Sequence, residues 1–438
     1  MSLFMTLNTG ASGLGASSLG LAVIGDNIAN LGTTGFKSSA PTFADLIPQN
    51  IGTLSGASQV GMGSISNSVS TYFSQGSISG TSSALDVAVS GSGFFQVTDG
   101  TTDYYTRDGS FFLDSDDYLV NSSGLRVQGY QAEDGTLSSL VSDIQVSAGP
   151  LPQQVTSTVE LHAELAPQDD LTPQFPAVAT LDGTSASSLT IEELAELSDF
   201  STSVTIYDSL GQPHDATILF EQTGTNSWDW MAVVDGAEDG LDSGFALALS
   251  SGSLGFDADG NLDPATFTEL VNATPTFGGA DPFSFMLDVG STSGGALGLG
   301  EITQAGTESS VSAISQDGYG TGQLLSVYVD ETGTILGQYD NGEELIMGQL
   351  ALAMFPSETG LSRVGGNLFQ DTLASGEPAM GVAGTGGRGS TIGYALEGSN
   401  VELEDEFVAM IETQRSYQAN AGVIRTADET LQELVNLV

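Results

Sequence analysis

The side chains able to do chemistry are few and stand apart from one another. The 438-residue chain has two histidines, His162 and His214, no cysteine, and 55 acidic against 7 basic residues, for a formal net charge of -48. Neither histidine has a second imidazole at helical spacing and no HExxH occurs, so a zinc site would lack its ligands. We read both as surface residues. Without cysteine there is no thiolate ligand, no disulfide framework and no thiol nucleophile. Gly384, Gly386 and Gly389 match GxGxxG, but no strand leads in and no amphipathic helix leads out, which describes a flexible connection better than a nucleotide loop. Neither a Walker A loop nor a GxSxG elbow is present. Asp257, Asp259 and Asn261 imitate the start of a calcium loop, yet the sixth position is Leu262 and the twelfth is Thr268, which supplies no bidentate carboxylate. Asp114, Asp116 and Asp117 fail in the same way at Leu119. Both runs are read as turns, with weak calcium binding left open. Carboxylates are too numerous for any two to be singled out as a glycosidase pair. The expectation is a protein with no catalytic residues, no cofactor and no resident metal.

The charge balance narrows the partners. Nucleic acid and anionic membrane both select positive charge, and none of the seven basic residues lies between positions 127 and 362. Neither is expected to bind. No stretch approaches the roughly 20 apolar residues of a membrane span, and the N-terminus lacks the basic region and apolar core of a secretory signal. If the protein leaves the cell, it is expected to do so without a cleaved signal peptide.

What the chain does carry is periodicity at its two ends. Residues 399 to 438 contain no Pro and one Gly, Gly422. Ser399 followed by Glu402 reads as a capping box, and Glu404, Asp405 and Glu406 load the first turns with the charge a helix N-terminus favours. Every seventh residue from Leu403 is apolar: Met410, Tyr417, Ile424, Leu431 and Val438. A weaker line, Phe407, Ala421 and Val435, is interrupted by Gln414 and Asp428. At the other end Leu7, Leu14, Leu21 and Ile28 repeat the spacing, with Leu3, Gly10, Ser17, Ile24 and Leu31 as a companion line. Heptads at both termini predict helices that pair as a coiled coil and join copies of the chain. The first 36 residues carry a single charged side chain, Asp26, up to Phe36. A helix so covered in small neutral residues suits packing on several sides, and alone its glycines would leave it disordered.

Between the termini the pattern is β. Gly numbers 57, and short apolar runs at 94 to 97, 104 to 106, 111 to 113 and 118 to 120 alternate with turn chemistry at Asp99-Gly100, Asp108-Gly109, 114 to 117 and 121 to 124, which predicts successive hairpins. The rhythm returns after about 300, at 324 to 329, 335 to 339 and 350 to 355. Pro150, Pro152 and Pro167 mark a change of domain. The segment they open has strands at 204 to 207, 216 to 220 and 228 to 234 and one short helix at 191 to 197, capped by Thr190 with Glu193. The predicted class is mainly β with α-helical termini, in a nested plan. Residues 1-31 and 399-438 form the coiled coil; 32-76 and 373-398 form an extended stem; 77-149 and 300-372 form an inner β domain; and 150-299 form an inserted outer β domain.

Several motifs add a resemblance. Asn27-Ile28-Ala29-Asn30, Thr34-Gly35-Phe36-Lys37 and Phe43-Ala44-Asp45-Leu46 resemble the N-terminal signature of bacterial flagellar rod and hook proteins. Thr413-Gln414-Arg415, Tyr417-Gln418 and Asn420, after Ser399-Asn400-Val401 and Met410-Ile411, resemble the signature at the other end of that family. Ser90-Gly91-Ser92-Gly93-Phe94-Phe95 and Tyr105-Thr106-Arg107-Asp108-Gly109-Ser110-Phe111 are similar to hook and rod proteins as well. The resemblance implies a structural subunit of the hook, polymerised into a curved, flexible extracellular tube that carries torque. It further implies type III export and contacts with the distal rod, the hook cap and the hook-filament junction proteins. A distal rod protein shares both signatures but is shorter and lacks a large inserted domain. An acidic secreted glycosidase or a calcium-binding adhesin is the reading of another class, and it leaves the terminal heptads without a role.

Overall fold

The computed structural model describes residues 3–53, 56–133, 135–147, 149–167, 174–177, 181, 189–240, 244–292, 296–297, 301–306 and 308–436. The described residues contain three α-helices, α1 (Leu3–Ala29), α2 (Ile191–Leu197) and α3 (Leu403–Asn436), among many short strands. The chain divides into two compact units. One is Met1–Ala148 with Leu325–Gln338 and Glu344–Val438, and the other is Gly149–Leu324 with Tyr339–Glu343.

The first unit is assembled from both ends of the sequence. Its main sheet runs Leu324–Val329, Thr334–Tyr339, Glu344–Met354, Arg126–Glu133, Phe94–Thr98, Asp103–Thr106, Leu368–Gln370, Ser362–Gly365. Glu344–Met354 organises it, pairing with Thr334–Tyr339, Arg126–Glu133, Phe94–Thr98 and Ala379–Val382. Its seven residues from Met347 to Ala353 are buried without alternation, as a strand covered on both faces requires. Phe94, Tyr105, Ala353, Phe355 and Phe369 form a compact core with Phe73 against it. The rings meet edge to face, Tyr105 on Phe355 at 4.8 Å and Phe73 on Phe94 at 5.5 Å, the arrangement that aromatic quadrupoles favour. The turns fall where Asp99-Gly100 and the run 121–124 predict them. Gly100, Gly124 and Gly333 all have positive φ, and Asn121 and Asp330 each accept two backbone N–H groups across their turns.

The extended stem is not observed as such. Ser39–Asp45 pairs antiparallel with Ser64–Thr71, and Gln49–Thr53 with Gly56–Val60, so the first stem segment is a long hairpin. The second joins sheets of the first unit: Ala379–Val382 pairs with Glu344–Met354, Ser390–Gly393 with Val87–Ser90, and Ala395–Glu397 with Ile78–Gly80. A Gly/Ser-rich run reads as a linker by composition, yet its backbone groups find ladder partners and its small residues admit close neighbours. Of the GxGxxG glycines Gly389 serves this packing, since a Cβ there would lie 2.2 Å from the Ser90 carbonyl oxygen.

In the second unit a five-stranded antiparallel sheet runs Phe200–Tyr207, Pro213–Gly224, Ser227–Asp235, Ala246–Gly255, Leu270–Val271. One face packs on Thr158–Leu165, whose burial alternates strictly, in a core that holds Trp228 and Trp230. The other face is covered around Leu194 of α2. The two buried faces explain why residues 218–220 and 230–234 are continuous apolar runs. The sequence-predicted capping box of α2 is present, with Glu193 N–H donating to Thr190 Oγ1 and Thr190 N–H donating to Glu193 Oε2.

The expected boundary at 299 is corrected. Glu301–Gln304 and Ser310–Gln316 both pair with Thr158–Leu165, so this unit continues to Leu324. Hairpin rhythm cannot reveal which of two β units a strand joins. His214 is corrected too. Rather than lying on the surface, it stacks on Phe277 at a centroid distance of 4.0 Å and faces the buried carboxylate of Asp208 at 3.2 Å. Asp257 is a turn cap, accepting the N–H groups of Asp259 and Asn261 at 2.9 Å, and Asp114 accepts those of Asp116 and Tyr118. The Asn261 backbone N–H, foremost among these donors, holds the Asp257 carboxyl below its ordinary value. Among the described residues no three His, Cys, Asp or Glu side chains are grouped to hold a metal ion.

Candidate assembly surface

The two terminal helices lie against each other, but along a different line from the one that the leucines predict. Gly10, Ser17, Gly20, Ile24 and Asn27 are the buried positions of α1, while Leu7, Leu14, Leu21 and Ile28 are only half-buried. On α3 the neighbours are Thr413, Ser416, Asn420 and Ile424. A Cβ on Gly10 would sit 2.9 Å from Ile424 Cγ1, on Gly13 2.6 Å from Asn420 Nδ2, and on Gly20 3.1 Å from Thr413 Cγ2. Ser17 Oγ donates to Ser416 Oγ at 3.3 Å. The companion heptad line is therefore the seam, and its small residues permit the close approach. A count of apolar residues ranks the leucine line higher because it cannot see that advantage.

The predicted residues of α3 divide between two faces. Met410, Ile424 and Leu431 are half-buried; Leu403, Phe407 and Tyr417 are exposed. The Leu3 side chain and Val438 lie outside the described residues. The capping box expected at Ser399 is not formed at the helix start. α3 begins four residues later, at Leu403, and Ser399 Oγ accepts from Val401 N–H instead.

The family-motif residues of the N-terminal end build the joint beneath α1. Asn27 Nδ2 donates to the Ser39 carbonyl and to Glu406 Oε1, both at 2.8 Å, while its Oδ1 accepts the Ser39 N–H. Asn30 Oδ1 accepts from the Thr33 hydroxyl, and the Thr34 carbonyl accepts from Asn367 Nδ2. Gly35 has φ +66°, and a Cβ there would lie 2.6 Å from Asp108 N; its own N–H donates to the Glu397 carbonyl at 2.7 Å. Phe36 is buried beneath the Arg363 guanidinium, 5.0 Å from its ring centre. Of the C-terminal motif residues, Asn420 lies on the seam, whereas Gln414, Arg415 and Tyr417 are exposed.

Lys37, the chain's single lysine, is wholly buried. Its Nζ donates to Glu397 Oε1 at 2.6 Å and to the Ser74 carbonyl at 2.8 Å, and Arg107 Nη1 reaches Glu397 Oε2 at 3.3 Å. Glu397 Oε1 also accepts the Gly76 N–H. One carboxylate thus holds four separate stretches of chain together. Burial lowers the pKa of both Lys37 and Arg107 from their ordinary values, and Glu397 opposes the shift. A lysine whose folded pKa lies below its ordinary 10.5 loses its proton first in the folded chain. Stability is then expected to rise with pH from the folded value up to 10.5 and to level off above it. Urea unfolding at stepped pH should show this rise, and Lys37→Met should flatten it. Arg107, Glu397 and Asn400 were absent from the sequence-based site. Asn400 Nδ2 donates to the Tyr72 carbonyl and its Oδ1 accepts the Ser38 N–H. Arg107 and Asn400 sit inside recognised motifs, whereas nothing local distinguishes Glu397 from the other 54 acids.

A helical pair with an exposed apolar edge, on a β unit sewn from both chain ends, is the design of an axial structural subunit. Comparison with known proteins makes that specific. Family models match at residues 7–37 (flagella basal body rod protein), 88–160 (flagellar hook protein FlgE/F/G D1 domain), 180–319 (flagellar basal body protein FlaE D2 domain) and 393–437 (flagellar basal body rod FlgEFG protein C-terminal). The flagellar hook protein FlgE of Escherichia coli K12 is 34% identical over 99% of this chain and all of its own length. Those of Borreliella burgdorferi and Rhizobium meliloti are 33% and 32% identical, over 99% and 100% of this chain and the whole of each relative. The crystal structure of Helicobacter pylori flagellar hook protein FlgE2 shares the fold, with a TM-score of 0.51 at 16% identity, covering 72% of this chain and 98% of that one. The chain belongs to the flagellar hook protein family, and its function is that of a structural subunit of the hook. No described helix is long and apolar enough to cross a membrane.

Proposed function

We propose that copies of this chain join through α1 and α3 into the curved, flexible tube that carries torque from motor to filament. The observation that supports this most is the outer surface of α3. Leu403, Phe407, Val408 and Ile411 are 39 to 57% exposed there, although α3 already has a partner helix. An apolar face that its partner helix leaves uncovered needs a second neighbour. Contacts between unlike surfaces generate open filaments when their rotation does not close. Leu3, Leu7, Leu14, Leu21, Ile28, Leu403, Phe407, Tyr417, Leu431 and Val438 are assigned to contacts between copies, and Ile24, Met410 and Ile424 to the seam within one copy. The distal rod, the hook cap and the hook-filament junction proteins are the proposed neighbours at the tube's ends, with delivery through the type III export apparatus and no cleaved signal peptide.

Negative-stain electron microscopy of the purified full-length protein in high salt, which screens its net charge, should show short tubes. The same chain without residues 1–31 and 399–438 should show none. Tubes of normal length from the truncated chain would remove the terminal helices from the assembly.

A further inference from the structure

Two unlike surfaces of the first unit are complementary in charge. Among the described residues five of the seven cations are engaged within the chain. Lys37 and Arg107 hold Glu397, Arg126 pairs with Asp143, Arg363 with Asp26, and Arg388 donates to the carbonyls of Leu352 and Ala379. Arg415 and Arg425 are the two without an ion pair or hydrogen bond among the described residues, and both are exposed on α3. With Phe407, Ile411, Gln418 and Gly422 they recur every three or four residues, which places them on one face. That face is turned away from Thr413, Asn420 and Ile424, the residues that meet α1. Between 407 and 425 it is apolar at one end and basic at the other, with the exposed Glu404 and Glu429 at its limits.

The second surface is a groove of about 810 Å³ between α1, the start of α3 and the hairpin of Ser39–Asp45 with Ser64–Thr71. Ile24, Pro41, Phe43 and Ala409 give it apolar walls, and the carboxylates of Asp405 and Glu412 stand in its lining without an ion-pair partner among the described residues. An arginine suits such a groove, its stem lying on the apolar wall and its guanidinium on the carboxylates. In a chain with 55 acids and 7 bases, two copies repel wherever they meet unless a free cation lies in the contact. These two arginines are the ones available.

We propose that the groove of one copy receives the Arg415 and Arg425 face of α3 from a second copy, with the guanidiniums on Asp405 and Glu412. The contact rests on the assembly reading above and gives it a polarity, because the two surfaces differ and each copy keeps one of each open for the next. A groove built to take an unrelated acidic partner would not carry carboxylates, and a nucleic-acid or anionic lipid partner is opposed for the same reason.

Charge reversal tests the pairing. The full chain and its variants are produced in cells of the source bacterium that lack their own copy, and isolated hooks are counted by electron microscopy. R415E/R425E should remove hooks, as should D405K/E412K. The fourfold variant carrying both reversals should restore them. The changed residues are exposed, so each purified variant should keep the circular dichroism of the parent, which separates lost contact from lost fold. Hooks in normal number from R415E/R425E would overturn the pairing and leave the hook assignment standing. A fourfold variant that folds and is secreted but stays without hooks would equally overturn the pairing. Failure of the unaltered chain to make hooks would instead overturn the assembly reading itself.

Discussion

Glu397→Gln is expected to destabilise the first unit by about 3–5 kcal/mol, the usual result of removing one partner from a buried ionic cluster. The glutamine keeps the size and the acceptor for Gly76 N–H, but it leaves the Lys37 ammonium and the Arg107 guanidinium buried together without a counter-charge. Arg107 is already imperfectly satisfied, since its Nε is buried with no hydrogen-bond partner among the described residues. The two units have to be followed separately, as a two-unit chain has no single unfolding free energy. Both tryptophans, Trp228 and Trp230, lie in the second unit, so their emission monitors that unit alone. Glu397→Gln should move the urea midpoint seen by circular dichroism to lower denaturant while the tryptophan transition stays in place. Replacing all three ionic groups at once, K37M/R107M/E397L, should recover part of the loss, because apolar residues remove the unpaired charges but cannot serve the Ser74 carbonyl or the Gly76 N–H. An unchanged midpoint in Glu397→Gln would show that the cluster is not holding the joint.

Ile424→Asp should abolish assembly while leaving the β sheets folded. Ile424 stands in the seam with α1, and its side chain lies across Gly10 with no room for so much as a methyl group between them. Losing its half-buried contact removes roughly 1–3 kcal/mol, and the new carboxylate is drawn into a seam with no cation to meet it. A helix pair with a charge forced into its seam should part. Far-UV circular dichroism would then lose helix while the tryptophan emission stays native, and electron microscopy would show monomers. Ile424→Leu, which keeps volume and polarity, should still assemble. Normal tubes from Ile424→Asp would mean that the α1–α3 seam is dispensable for assembly.

How far the fold was legible depends on whether the deciding interaction was local. The α2 capping box joins Thr190 to Glu193, and the turn caps at Asn121 and Asp330 reach two and four residues along the chain, so a short window contained them. The seam between α1 and α3 was found as a pairing and misplaced by one heptad line, because Gly10, Gly13 and Gly20 contribute by what they lack. Their three- and seven-residue spacing was visible, but heptad counting weighs apolar side chains and assigns glycine no value. Gly389 reads as linker for a similar reason, and the long-range pairing of 301–316 with Thr158–Leu165 left no local mark. Glu397 illustrates the limit. It lies 290 residues from Arg107 and 360 from Lys37, and only the folded chain brings the charges together.

The interleaving of the first unit also sets a timetable. Glu344–Met354 must find Arg126–Glu133 and Phe94–Thr98, and Ala395–Glu397 must find Ile78–Gly80, before the central sheets close. Pairings so distant along the chain are slow to form, because a long loop has to be closed before any contact rewards it. The second unit has almost no such debt to the rest of the chain, since all but the five residues Tyr339–Glu343 come from one continuous stretch. A chain delivered N-terminus first therefore presents Ile78–Gly80, Phe94–Thr98 and Arg126–Glu133 before the strands that complete their sheets. Their partners emerge last, together with α3, so the event that completes the fold is also the event that delivers the helix by which we propose the next copy is held.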